Sequence, residues 1–172
     1  MILKTKIQKD LNQAVKKKEE VRSLVLRSLL AAILNKEKEK RYKLSKQKPE
    51  LTEKDLEKES QLVDEEVIEV ISSEVKKRKE AILEFEKGER TDLVEKEKKE
   101  LEILQKYLPE QLSEEEIKKL AKEAIEKLGA KEPKDIGKIM AELMPKVKGR
   151  AEGAVVSRIV RELLTPKTNA ND

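Results

Sequence analysis

Apolar residues recur along this chain at intervals of three and four, the spacing of one helical face. Ile7, Leu11, Ala14 and Val15 form the first stripe and predict a helix over residues 2–17. A second helix is predicted from about Glu19 to Arg41. Its centre, LVLRSLLAAIL (Leu24 to Leu34), is apolar on almost every side and is broken only by Arg27 and Ser28. A helix of that kind is expected at the buried centre of a bundle. Arg27 then needs a partner, either a structural ion pair or a ligand, because an unpaired buried charge is costly.

The stretch KLSKQKPELTEKD (Lys43 to Asp55) reads as a polar loop around Pro49, and Thr52 with Asp55 has the form of an N-terminal cap. A long third helix is predicted to about Lys87, with Leu56, Val63, Val67, Val70, Ile71, Val75, Ile82 and Leu83 on its apolar face. Ser72–Ser73 is the point where it would break, and Gly88 stops it. A fourth helix is expected from Asp92 to Leu108, closed by Pro109. The pattern then restarts in shorter pieces. Ser113 to Glu116 is a capping box opening a helix that ends at Gly129. Pro133 opens the next helix, which Pro145 stops, and a last one runs from about Ala151 to Leu164.

The chain is therefore expected to be all-α, multihelical and in two parts. Residues 1–108 form an N-terminal bundle of long helices, and 109–166 a small three-helix domain. A polar tail over 167–172 is expected to be disordered. The small domain shows little core of its own and should be marginal alone.

Charge changes this picture. The chain has 172 residues, 44% of them charged and 2% aromatic, with a net charge of +4. That total hides an asymmetry. Residues 1–48 hold 15 basic and 5 acidic side chains, and residues 49–116 hold 12 basic and 23 acidic. The last 56 residues hold 13 basic and 8 acidic. Either the first two blocks neutralise one another on packing, or basic surface from both ends faces a polyanion. The Lys/Glu excess, without Cys, His or Trp, resembles a hyperthermophile's intracellular protein.

The absence of Cys and His removes disulfides, thiol nucleophiles, zinc sites and every His-based triad. No metal, cofactor or catalytic set is expected. No P-loop or dinucleotide fingerprint occurs. The longest apolar run, Leu29 to Leu34, is far short of the ~20 residues that span a membrane. The N-terminus lacks a signal-peptide core, so a cytoplasmic location is expected.

One stretch differs from the rest. Leu143 to Arg161 carries Lys146, Lys148, Arg150, Arg158 and Arg161 against a single acid in that span, Glu152. Gly149 and Gly153 interrupt it just before the last helix. Backbone N–H groups at a helix start favour anions, and glycine lets a phosphate approach. The alternative is a helix–helix turn, with Gly149 at positive φ and Gly153 allowing close packing. Glu152 either complements the helix dipole or competes with an anion. With only Tyr42, Phe85 and Tyr107 as aromatics, a base-stacking platform is not expected. Any nucleic acid would be read by shape and backbone, which favours folded RNA.

DIGKIMAELMPKVKGRAEGAVVSRIVREL (Asp135 to Leu163) resembles the C-terminal motif of the GatB/YqeY family. VRSLVLRSLLAAI (Val21 to Ile33) and the long block from Ser72 to Ile117 occur in that family's order. The resemblance covers about residues 2–165 and lies with the YqeY-like members. It implies a two-part all-α protein whose C-terminal part is similar to the tail of GatB, a subunit of the tRNA-dependent amidotransferase. In that family the tail is associated with tRNA recognition, and a YqeY-like domain is appended to some glutaminyl-tRNA synthetases. By motif, Gly137, Lys138, Lys146, Lys148, Gly149, Arg150 and Gly153 would be the positions toward tRNA. An Asp is common in the family where this chain has Glu152.

The catalytic portion of GatB has no counterpart here, so a label of carbon–nitrogen ligase with glutamine as amide donor would be inherited without its active site. The expected function is a non-catalytic tRNA-binding or tRNA-metabolism accessory protein. The alternative is a protein–protein adaptor for an amidotransferase or an aminoacyl-tRNA synthetase, and an amidotransferase enzyme is the third reading.

Overall fold

The computed structural model describes residues 2–130 and 132–165, and these are helical with no strand among them. The tail expected from residue 167 lies outside the described residues. The helices are α1 (Ile2–Lys16), α2 (Glu20–Gln47), α3 (Glu53–Glu59), α4 (Asp64–Lys87), α5 (Thr91–Gln105), α6 (Glu114–Leu128), α7 (Ile136–Val147) and α8 (Gly153–Leu164). A 3-10 turn, Pro133–Asp135, leads into α7. The described residues up to Leu108 make one compact unit and those from Pro109 on another.

In the first unit α1 and α2 form one hairpin and α4 and α5 another. Their core contains Ile7, Leu11, Leu26, Leu29, Ile33, Leu62, Val67, Ile71 and Leu104, each at most 9% exposed. Each such buried aliphatic side chain stabilises the fold by about 1.5–3 kcal/mol. Three polar contacts fix the pieces. Asp64 accepts hydrogen bonds from the N–H groups of Leu3 (3.1 Å) and Ile2 (3.3 Å), so the start of α4 caps the start of α1. Glu37, buried on α2, accepts two bonds from Lys4 Nζ, both 2.7 Å. The Tyr107 hydroxyl donates to Asp10 at 2.7 Å.

Several expectations are corrected here. Helix α2 continues to Gln47, so most of the predicted loop's first part is helical. Its Lys/Glu-rich sequence contains no helix breaker before Pro49, which acts only on the residue preceding it. The predicted third helix is two helices. Ser60 to Val63 separate α3 from α4, because Leu62 turns inward to the core and its N–H donates to Glu37 (3.3 Å). Ser72–Ser73 lies inside an unbroken α4. Helix α5 ends at Gln105, with Lys106 to Leu108 in a turn. Pro145 does not stop α7. It sits in the last turn, where only one backbone bond is forfeited.

The largest correction concerns α2. Its centre is not buried on every side. Val25, Leu26, Leu29 and Ile33 face the core, while Val21, Leu24, Arg27, Ala31 and Leu34 are exposed. The neighbours α1, α4 and α5 cover one face only, so Arg27 is a surface residue and needs no buried partner.

The second unit also has a fuller core than its sequence suggests. Ile117 and Ala121 of α6, Ile139, Leu143 and Val147 of α7, and Val156, Ile159, Val160 and Leu164 of α8 close on one another. Short helices achieve this because small Ala121 and Ala124 let α6 approach the other two. The Ser113 box forms as expected: its hydroxyl accepts from Glu116 N–H (3.3 Å), and Glu116 accepts from Ser113 N–H (2.8 Å). Gly129 ends α6 in the left-handed conformation, at φ 60°.

Candidate nucleic-acid interface

The candidate residues lie on α7, on α8 and on the turn between them. Burial of Ile139, Leu143 and Val147 at intervals of four sends Lys138, Glu142 and Lys146 along another face of α7. Burial of Val156, Ile159, Val160 and Leu164 likewise turns Arg158, Arg161 and Glu162 outward on α8. Lys138, Lys146, Lys148, Arg158 and Arg161 are all exposed, whereas Gly149, Arg150 and Gly153 are half-buried.

The glycine turn is built into the fold. Gly149 has φ 72°, a conformation that costs a non-glycine residue about 1 kcal/mol. The N–H groups of Arg150 and Ala151 both return to the Val147 carbonyl, at 2.9 and 3.0 Å. The turn is then stitched to the segment ahead of α6. Leu112 N–H donates to the Arg150 carbonyl (2.8 Å), and Gln111 Nε2 donates to the Gly149 carbonyl (2.8 Å). Arg150 Nε donates to the Glu110 carbonyl (3.2 Å).

Gly153 has no such necessity. A Cβ there would lie 3.7 Å from Met144 Cε, an ordinary contact, so close packing does not demand glycine at this place. Glu152 occupies the N-cap position of α8, but its side chain makes no capping bond.

Three of the exposed cations, Lys138, Lys146 and Arg158, have carboxylate partners. Glu142 bridges Lys127 Nζ (2.8 Å) and Lys146 Nζ (2.9 Å), and these two hydrogen bonds push its carboxyl down to about 2. Arg158 pairs with Glu162 (3.0 Å) and with Glu114, which together raise its pKa. Lys138 pairs with Asp135 (3.2 Å). Arg161 makes no ion pair among the described residues. These partners were only partly legible. Glu142 lies four residues from both Lys138 and Lys146, a visible signal, but Lys127, Gln111 and Glu110 arrive from elsewhere in the unit.

The first unit holds a groove of about 660 Å³ between α2 and α4, floored by Ala32, Leu62 and Val70. Its rim is neutralised by the pairs Lys36–Glu39, Lys40–Glu66 and Lys77–Glu74, so it presents no cationic face to a phosphate. Among the described residues no group of three or more acids could hold a metal ion, and no helix is long and apolar enough to cross a membrane.

Fold and surface together define an all-α protein of two helical units, the second displaying exposed cations on its last two helices and the turn that joins them. The chain belongs to the YqeY-like family, whose model, described as "Yqey-like protein", matches residues 36–164. It is 31% identical over 166 residues to a Pyrenophora tritici-repentis protein named "Altered inheritance of mitochondria protein 41, mitochondrial". That match covers 94% of this chain and 81% of the relative. A stretch of 50 residues is 46% identical to an uncharacterised protein of Schizosaccharomyces pombe, covering 29% of this chain and 41% of that one.

Proposed function

We propose that the chain is a non-catalytic tRNA-binding accessory protein whose second unit supplies contacts to the phosphate backbone. The observation that carries the reading is the exposure of Lys138, Lys146, Lys148, Arg158 and Arg161 on α7, α8 and their connecting turn. Lys138, Lys146 and Arg158 pair with carboxylates at the surface of the unit. Exposed pairs of this kind are worth about 0–1 kcal/mol, so phosphate oxygens replace them at small cost while releasing counterions.

The resemblance of Asp135 to Leu163 to the tail of the tRNA-dependent amidotransferase supports tRNA over other polyanions. The scarcity of aromatics favours recognition of shape and backbone over stacked bases. The lack of His and Cys fits a binding role. An amidotransferase or aminoacyl-tRNA synthetase would share the tRNA as substrate. The compartment in this reading is one that contains tRNA: the cytoplasm or, as the relative's name has it for that protein, the mitochondrion.

The structure alters which residues belong in the test. Arg150 holds the turn together, so its removal confuses folding with binding. Lys146, Lys148 and Arg161 are the better set for replacement by Ala. The purified chain is titrated with folded tRNA, unfolded RNA and duplex DNA at two salt concentrations. Folded tRNA should bind tightest, and the triple variant should bind more weakly with a log–log salt slope reduced by about 2. Equal affinity of parent and variant for tRNA at low salt sinks the reading.

A further inference from the structure

Helix α2 has an apolar face that the first unit leaves uncovered. Val21, Leu24 and Leu34 are 47%, 53% and 49% exposed, and Ala31 is exposed between the two leucines. Their spacing of three and seven places them on one stripe, which runs about 20 Å along the helix. Single exposed apolar side chains are ordinary on protein surfaces, but apolar residues recurring on one side over about four turns, interrupted by Arg27 and Ser28 and lying opposite a helix face already buried in the core, are not. Val15, in the last turn of α1 and just across the Lys17–Glu19 turn, is exposed as well, at 46%.

The charges around the stripe select its occupant. Arg27 sits at its midpoint, is exposed, and makes no ion pair among the described residues. Lys16, Lys17 and Lys18 stand at its start and Lys38 just beyond its end, all exposed; of the acids beside them Glu19 pairs with Arg22 and Glu39 with Lys36, which leaves Glu20. A second copy of this chain fits poorly. Antiparallel two-fold pairing of the stripe would bring Arg27 against its own counterpart, because a symmetric contact opposes the midpoint to itself. A polynucleotide would leave the aliphatic side chains unsatisfied.

We propose that this face of α2 docks an amphipathic helix of a partner protein, one whose apolar stripe is flanked by Asp and Glu. Leucine-type side chains of the partner pack between Leu24 and Leu34, and a carboxylate meets Arg27. The site is in the first unit and stands independently of the tRNA reading.

The test uses the full chain and three labelled helical peptides of about 18 residues, or ~27 Å, that share one leucine stripe and carry flanks of Glu, Gln or Lys. Fluorescence anisotropy at low salt should rank Glu over Gln over Lys, with about tenfold or more between the extremes and a smaller gap at high salt. The double change Leu24→Asp with Leu34→Asp should abolish saturable binding of the Glu-flanked peptide. It should leave the melting midpoint unchanged, since both side chains are exposed. Arg27→Glu should narrow or reverse the ranking. Four results overturn the proposal: no saturable binding of the Glu-flanked peptide; equal affinity for the three peptides; a dimer in sedimentation that the double change dissolves; or co-flotation with anionic vesicles in place of peptide binding.

Discussion

Arg150 Nε donates to the backbone carbonyl of Glu110 at 3.2 Å, which ties the turn before the last helix to a segment forty residues earlier in the chain. The most basic stretch of the sequence therefore contains two kinds of cation. Arg150 is committed to the fold, while Lys146, Arg158 and Arg161 are exposed. Replacing Arg150 by Ala should destabilise the second unit by about 1 kcal/mol, the net worth of such a bond. Gly149→Ala should cost a similar amount through its left-handed backbone. Urea unfolding followed by a probe in α8 reads both, and Arg161→Ala serves as the exposed control.

Acid should loosen the contact between α6 and α7. Glu142 is held near pKa 2 against an ordinary value of 4.5, first by the hydrogen bond from Lys127 and then by that from Lys146. Its charged form is favoured in the folded state. The stabilisation it provides is present above about pH 4.5 and is lost as the pH falls toward 2. NMR titration of the Glu142 carboxyl should show a midpoint near the lower value, and Glu142→Gln should flatten stability over that window. High salt should weaken the effect, because the lysines are exposed.

Glu37 presents the buried counterpart. It receives two 2.7 Å bonds from Lys4 and one of 3.3 Å from the Leu62 N–H, so it links α1, α2 and the inward turn before α4. Glu37→Ala leaves that buried N–H without an acceptor and should cost about 3 kcal/mol. Lys4→Ala should cost less, since its side chain is partly exposed. Amide exchange at Leu62 should accelerate in the Glu37 variant alone.

High pH tests a third contact. Burial, and then the bond to Asp10, push the Tyr107 hydroxyl up to about 12 from its ordinary 10. The folded chain thus keeps this proton where the unfolded chain has released it. The stability gained is complete below about pH 10 and disappears as the pH rises through 12. Tyr107→Phe should cost about 1 kcal/mol at neutral pH and remove the high-pH loss. Ultraviolet titration should find one of the two tyrosines ionising late in the parent and not in the variant.

The elements that were legible in the sequence are those made by local bonds. The Ser113–Glu116 and Thr52–Asp55 boxes form where their spacing predicts, because a capping side chain reaches only two or three residues. Gly129 ends α6 for an equally local reason, its left-handed backbone, whereas after α4 Gly88 has φ −85° and the left-handed residue is Glu89 (φ 54°). Periodic apolar positions were sufficient to establish an all-α chain. The candidate cations were legible as a cluster, since α7, the turn and α8 are consecutive.

Contacts with distant partners were not legible. An apolar pattern on all sides of α2 cannot say which side its neighbours will cover, and the structure covers one. The break at Ser60 to Val63 depends on Glu37, a residue of another helix, receiving the Leu62 N–H. The division of the basic stretch depends on where Glu110, Gln111 and Glu142 stand. The sequence by itself determined the all-α class, the caps at Thr52 and Ser113 and the charge the helices carry, because those follow from interactions within a few residues. Only the tertiary structure decided which cations are spent on the fold and which apolar face stays open, because burial and pairing are set by whichever segments arrive at the same place.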